Sequence, residues 1–211
     1  MTSERRDGPA GVSVHPLGLC ESRTVGAGTR VWAFAHILPG AEVGADCNVC
    51  DGAYIEGGAI VGDRVTVKNQ VLVFSGVTIE DDVFLGPAVV FTNDLRPRAH
   101  IKLGPESLLP TVVQQGATLG ARVVVVCGTT IGANAFVGAG TVIVADVPAH
   151  AFVIGNPGRQ VGWVCTCAHR LSDDLSCIEC GRRFRKAGPD QDAGLIEMAR
   201  GHLANGLSTS A

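Results

Sequence analysis

An aliphatic residue, or finally Phe, falls on every sixth position of one long stretch: Leu19, Val25, Val31, Ile37, Val43, Val49, Ile55, Val61, Val67, Val73, Ile79, Leu85 and Phe91. The beat resumes in a new register at Val113, Leu119, Val125, Ile131, Val137 and Ile143. Four places after the beat a small or β-branched residue recurs, as at Ala35, Ala41, Cys47, Ala53, Val65, Val77, Ala117 and Thr129, and Gly often follows the beat directly, as at Gly26, Gly44 and Gly62. A six-residue period fits neither a 3.6-residue helix nor a simple hairpin array. It fits short flat strands joined by tight turns, three to a coil, with large and small inward residues filling a triangular prism. The fold class is therefore all-β, a parallel β-helix of hexapeptide repeats. Nineteen hexads predict a little over six coils, stacked to a height of roughly 30 Å at the strand spacing.

The beat breaks once. Taking residues 91–96 as the last hexad before the break and Val113 as the first after it, the excursion is a loop over 97–112, where Pro97, Gly104, Pro105 and Pro110 discourage regular structure. Long loops in compact domains are commonly functional. This one can fold over a neighbouring face or subunit and wall off a site.

Composition narrows the class. The chain has 211 residues and is 46% hydrophobic with only 5% aromatics, so its core is aliphatic. The net charge of −3 gives no global reason to expect nucleic acid or an anionic membrane surface. No stretch approaches the eighteen or so apolar residues of a membrane span, and the N-terminus lacks an apolar signal region, so the expected compartment is the cytoplasm. Of eight cysteines, four cluster late in the chain, which in a reducing compartment reads as one metal site rather than a disulfide framework.

The run "GPAVVFTNDLRPR" (86–98), with "RVWAFAH" (30–36) before it and "GNPGRQVGW" (155–163) after it, resembles the nucleotide-sugar N-acetyltransferases over about residues 14–164. That resemblance implies a left-handed β-helix, acetyl-CoA as co-substrate, and a UDP- or dTDP-linked 3-amino sugar as acceptor. It also implies a homotrimer with sites at subunit boundaries and products used in surface glycans. The chain departs from the family in having "WAFAH" for "WHFVH", "VKNQ" for "IQNN" and Gly158 for Ala, differences that bear on the sugar more than on the reaction.

Acetyl transfer needs a neutral amine, donors to the thioester oxygen and in-line alignment. Asn93 is the leading catalytic candidate, by the family motif and because stacking by eighteen places it in a column of small residues with Ser75 and Gly57. As Asn is no base, it would orient the amine or the acetyl oxygen; the alternative is a turn cap. Asp94 could hydrogen-bond the ammonium or serve only the turn. His100 could act as a base in the loop, or be solvated. His36 would lie about three coils below Asn93, suited at most to the nucleotide end. Lys68, Asn69 and Arg98 are candidates for sugar or phosphate contacts, Arg98 by bidentate pairing. By resemblance, CoA would run along the later coils past Gly120, Gly138 and Ala139, with Asn156 and Arg159 near its adenine end. The glycines are also ordinary hexad grammar.

Cys165, Cys167, Cys177 and Cys180 are spaced C-x-C, nine residues, C-x2-C, two pairs able to wrap a tetrahedral zinc ion of structural type. His169 in place of one Cys is an open alternative, as is a redox pair. The spacings divide the chain into a disordered N-terminus (1–12), the β-helix (13–160), a zinc-ribbon-like segment (161–186) and a flexible tail (187–211), with one short helix near residues 195–203. Two other functions compete. A β-helix carbonic anhydrase needs three clustered histidines, and the six present show no such spacing. A non-enzymatic trimeric assembly module would bind no acetyl-CoA and would tolerate Asn93→Ala.

Overall fold

The computed structural model describes residues 9–101, 104–190 and 193–199. Its first twenty-one strands fall into three parallel sheets, the faces of a prism. The first face begins at Ser13–Val14, the second at Leu19–Cys20 and the third at Thr24–Val25. Each rung pairs with the one a coil away, so Ile37, Ile55 and Val73 form one inward column. The beat residues and the small residues between them fill the interior, most of them completely buried.

The first face has nine strands, eight parallel rungs closed by Arg159–Trp163, which folds back antiparallel on Ala151–Ile154. The prism is thus taller than six coils, because both ends continue the pattern with shortened coils. At the lower end Cys20, not Leu19, pairs with Ile37 and takes the inward column; Leu19 pairs with His36 and faces out. At the upper end Val153 pairs with Val137, sixteen residues back rather than eighteen.

Each corner needs one left-handed residue, and it falls three places after the beat. Gly28, Gly40, Gly52, Gly58 and Gly76 supply it cheaply, while Asp46, Arg64, Gln70, Asp82 and Asn134 adopt it at φ between 55° and 61°. The glycines directly after the beat answer a different demand: a Cβ on Gly26 would collide with the Ala45 amide nitrogen of the next coil.

The excursion has the expected length but starts earlier. Phe91 pairs with Val125, and Val77 with Thr111. These separations of thirty-four are one coil of eighteen plus sixteen inserted residues. The broken hexad keeps only its first half on the prism, since Thr111 supplies the next inward small residue. The insertion therefore spans 94–109, three residues ahead of the 97–112 expectation. The Leu109 amide donates to the Asn93 carbonyl at 3.0 Å and closes the base of the loop.

The expected boundaries at 160/161 and 186/187 also shift. The first cuts Arg159–Trp163. The second falls in a hairpin, because Phe184–Lys186 pairs antiparallel with Leu195–Glu197. The short helix expected near 195–203 is instead a strand at Leu195–Glu197, drawn into pairing by the buried Leu195; residues 200–203 lie outside the described residues, as do 1–8 of the expected N-terminal arm.

Candidate functional site

The corner between the second and third faces carries the loop. Thr92 leaves the face and its hydroxyl accepts the Cys127 amide at 3.0 Å, tying the loop exit to the coil above. Asn93 follows, half-buried, and its Nδ2 donates to the Ser75 carbonyl at 3.3 Å on the coil below. Its Oδ1 accepts no hydrogen bond from any described residue, which leaves one acceptor available beside the loop. The neighbouring corner residues are small, so the amide stands over a shallow column running through Ser75 and Gly57. Glu56, not foreseen from sequence, lies on the same edge and accepts the Ser75 amide at 2.9 Å.

The other catalytic candidates have defined places. The Asp94 carboxylate accepts the Arg96 amide at 2.8 Å, the work of a turn residue. Arg98 and Ile101 form an antiparallel bridge, which puts His100 at an exposed tip. Arg98 is itself exposed, and among the described residues its guanidinium donates to the Pro97 carbonyl alone.

His36 shares the second face but stands three rungs below Val90, roughly 14 Å at the strand spacing. Its Nε2 meets Glu21 at 2.8 Å and its ring packs edge-on against Tyr54 at 5.9 Å. Lys68 and Asn69 lie at a different corner, between the first and second faces, so a single chain does not bring them to Asn93. On the later coils, Gly120 and Gly138 are explained by packing. A Cβ on Gly120 would lie 2.6 Å from the Ala139 amide, and one on Gly138 would lie 2.7 Å from an Ile154 methyl. Ala139 is an exposed corner residue, and Asn156 and Arg159 are exposed in the final turn. Arg159 borders a surface hollow of about 170 Å³ with Val144, Asp146 and Pro148.

The cysteines form a second site beyond the prism. Cys165–Cys180, Cys167–Cys180 and Cys167–Cys177 have sulfur separations of 3.4, 3.5 and 3.6 Å, and all four sulfurs lie within 4.8 Å of one another. A tetrahedron of thiolates with metal–sulfur bonds of about 2.3 Å has edges of about 3.8 Å, so the four sulfurs fit a zinc-type ion. The His169 ring meets the cluster at the Cys167 sulfur, 3.5 Å away, and its carbonyl accepts the Cys165 amide at 2.8 Å; the four-sulfur set does not include it. Backbone amides of Cys167, His169 and Arg182 point at the sulfurs of Cys165, Cys167 and Cys180. Burial pushes the Cys165 thiol up to about 12, while the Arg182 amide above all pulls Cys180 down to about 6. Phe184 and Leu195 pack beside the cluster as a small core of their own.

His150 joins this segment to the prism. It is buried, its Nδ1 lies 3.0 Å from the Val164 carbonyl, and its ring sits 4.9 Å from that of Phe184. Burial lowers its pKa, against smaller opposing effects of the Val164 carbonyl and the Glu197 charge. The folded form thus stays neutral where an unfolded His, with pKa about 6.5, takes up a proton. Stability is then full above about pH 6.5 and falls as pH drops from there toward the folded pKa. Melting temperature between pH 7 and pH 5 should drop more steeply in the wild type than in His150→Asn, which keeps the left-handed corner (φ 64°) without titrating. Parallel profiles would contradict this assignment.

With this geometry in view, the comparisons are direct. Residues 24–57 match the bacterial transferase hexapeptide (six repeats), and residues 110–145 match the hexapeptide repeat of succinyl-transferase. The chain is 47% identical, over 176 residues covering 82% of this chain and 91% of the relative, to dTDP-3-amino-3,6-dideoxy-alpha-D-galactopyranose 3-N-acetyltransferase of Aneurinibacillus thermoaerophilus. It therefore belongs to the hexapeptide-repeat acetyltransferases, and it is an acyltransferase. Among solved structures it resembles a mutant GDP-perosamine N-acetyl transferase from Caulobacter crescentus in complex with CoA and GDP-perosamine (26% identity, TM-score 0.53, 69% of this chain and 58% of that one). It shares its fold with the acetyltransferase domain of PglB from Neisseria gonorrhoeae FA1090 in complex with acetyl coenzyme A (22% identity, TM-score 0.54, 72% and 58%). The chain thus spans about 58% of the length of each of these two structures.

Proposed function

We propose that this enzyme transfers the acetyl group of acetyl-CoA to the 3-amino group of a dTDP-linked 3-amino-3,6-dideoxyhexose, for use in a surface glycan. The observation that carries the reading is the 47% identity over nearly the full length of a relative of that activity. Asn93 supports it, standing at the loop with an open acceptor. In this reading its Oδ1 orients the amine, the nitrogen attacks the thioester carbon, and the departing CoA sulfur takes the displaced proton. CoA lies along the later coils, with Arg159 offering a phosphate contact; His100, Asp94 and Arg98 remain loop groups available to a bound sugar.

The assembly is a homotrimer. On the second face Tyr54, Leu72, Val90, Val124 and Val142 form an outward column of half-buried apolar side chains on a flat parallel sheet. A continuous apolar face of this kind calls for a protein partner. Sedimentation as a single chain would count against it. The cysteine cluster holds structural zinc, since four protein thiolates leave no open position for chemistry. Cytoplasmic residence suits both the free thiols and the co-substrate; no helix among the described residues is long and apolar enough to cross a membrane.

The test is thiol release from acetyl-CoA with matched dTDP- and UDP-linked 3-amino sugars. The expected outcome is a kcat/KM at least tenfold higher for the dTDP acceptor; equal or reversed preference would overturn the choice of nucleotide.

A further inference from the structure

At the lower end of the prism, where the first face turns into the second, aromatic rings and cations meet on an open surface. Phe34 occupies the left-handed corner position at φ 60°, and the residue is 68% exposed. A bulky side chain there strains the backbone and gains no burial in the monomer. One coil higher, the same corner is filled by Gly52. Trp32, two residues before Phe34, is 44% exposed, and its indole N–H donates to Asn48 at 2.8 Å, which holds the ring against the face.

Above Trp32 in the same column come Cys50 and then Lys68, because Val31, Val49 and Val67 pair in succession. Two strand spacings put Lys68 roughly 10 Å above Trp32. Arg30, beside Trp32, lines a hollow of about 100 Å³ with His15 and the indole. Arg30 and Lys68 both act on the Cys50 thiol between them, and neither pairs with a carboxylate among the described residues. Open rings next to unpaired cations suit a planar heterocycle that carries phosphate: rings stack on its face, and cations meet its oxygens.

We infer that Phe34 and Trp32 form the stacking platform for the nucleobase of the acceptor, with Lys68 and Arg30 receiving its diphosphate. This rests on the reading of the acceptor as a sugar nucleotide, and it deepens that reading. Heights along the prism agree. Trp32 follows the second rung of the first face, Lys68 follows the fourth, and Asn93 follows the fifth rung of the second face. Base, diphosphate and amine therefore ascend in the order in which a sugar nucleotide carries them. The patch and Asn93 stand at different corners, so the amine end is met by Asn93 of a neighbouring copy, and a complete site needs two chains.

Phe34→Gly is the informative variant, because glycine relaxes the corner and the fold is expected to melt no lower than wild type. Titration calorimetry with dTDP should show affinity reduced tenfold or more, and steady-state kinetics a matching rise in KM for the amino-sugar nucleotide, with kcat and KM for acetyl-CoA held. Lys68→Ala should weaken dTDP but leave thymidine binding unchanged. Wild-type dTDP affinity in Phe34→Gly would overturn the platform, as would a change of oligomeric state in place of an affinity change. The two readings fail separately. Loss of dTDP binding in a protein that never releases thiol retires acetyl transfer and keeps the platform; full thiol release with unaltered dTDP affinity does the reverse.

Discussion

Asn93→Ala is expected to lower kcat by about a hundredfold or more, the scale seen when one polar group that stabilises a reacting centre is removed. KM for both substrates should change little, because the amide is assigned to the reacting amine rather than to the body of either substrate. The fold should survive. Among the described residues the side chain makes one hydrogen bond, Nδ2 to the Ser75 carbonyl at 3.3 Å, while the tie that closes the loop uses the Asn93 backbone carbonyl and remains in the variant. A melting temperature near wild type with a collapsed kcat is the expected pair of results. Retention of more than half the wild-type rate would return Asn93 to the role of a turn residue.

Removal of metal from the cysteine site should have the largest structural effect. The four sulfurs stand at the separations of a tetrahedral thiolate site, and metal binding of this kind is itself folding free energy for a small module. The local core there, with Phe184 and Leu195, is too small to stand alone. Atomic emission should find one zinc per chain, and a strong chelator, or Cys177→Ser, should remove it. Trp163 reports the consequence, since the Lys186 ammonium sits 3.8 Å from its ring centre and the ring packs against both cores. Its fluorescence should shift to the red as the segment opens, while the β-sheet signal of the prism persists on its separate aliphatic core. Metal-free protein with unshifted Trp163 emission would contradict a structural role.

Much of this was legible in the sequence because a solenoid repeats one local rule. Inward residues alternate large and small, and each error repeats a coil later, so the six-residue beat exposes the fold, the break and the loop length together. Boundaries were less legible. Leu19 sits on the beat yet faces outward, because a shortened first coil delivers Cys20 to the inward column, and periodicity carries no sign of a coil one residue short. The loop was placed three residues late because Thr111, polar and outside the beat, fills an inward position. The strand at Leu195–Glu197 was hidden because the Ala149 carbonyl that accepts the Leu195 amide is distant in sequence.

The candidate site residues divide in the same way. The four cysteines come together as their spacing leads one to expect, and Asn93 is proposed from the family motif. Lys68 and Asn69, read as candidates for sugar or phosphate contacts, stand four hexads before Asn93; a coil holds three, so they fall on another edge. Phe34 shows what could have been found: three places after a beat residue the corner demands a left-handed residue, so a Phe in that slot is a conflict visible in the sequence once the rule is known.

The central claim, acetyl transfer to a nucleotide-linked amine, is tested most directly by mass analysis of the dTDP-3-amino-3,6-dideoxyhexose after incubation with acetyl-CoA and enzyme. The account predicts one acetyl group on the sugar nitrogen for each thiol released, with neither formed when acetyl-CoA is omitted. Thiol release without acetylated sugar, or an acetyl group on a hydroxyl instead of the amine, would contradict it.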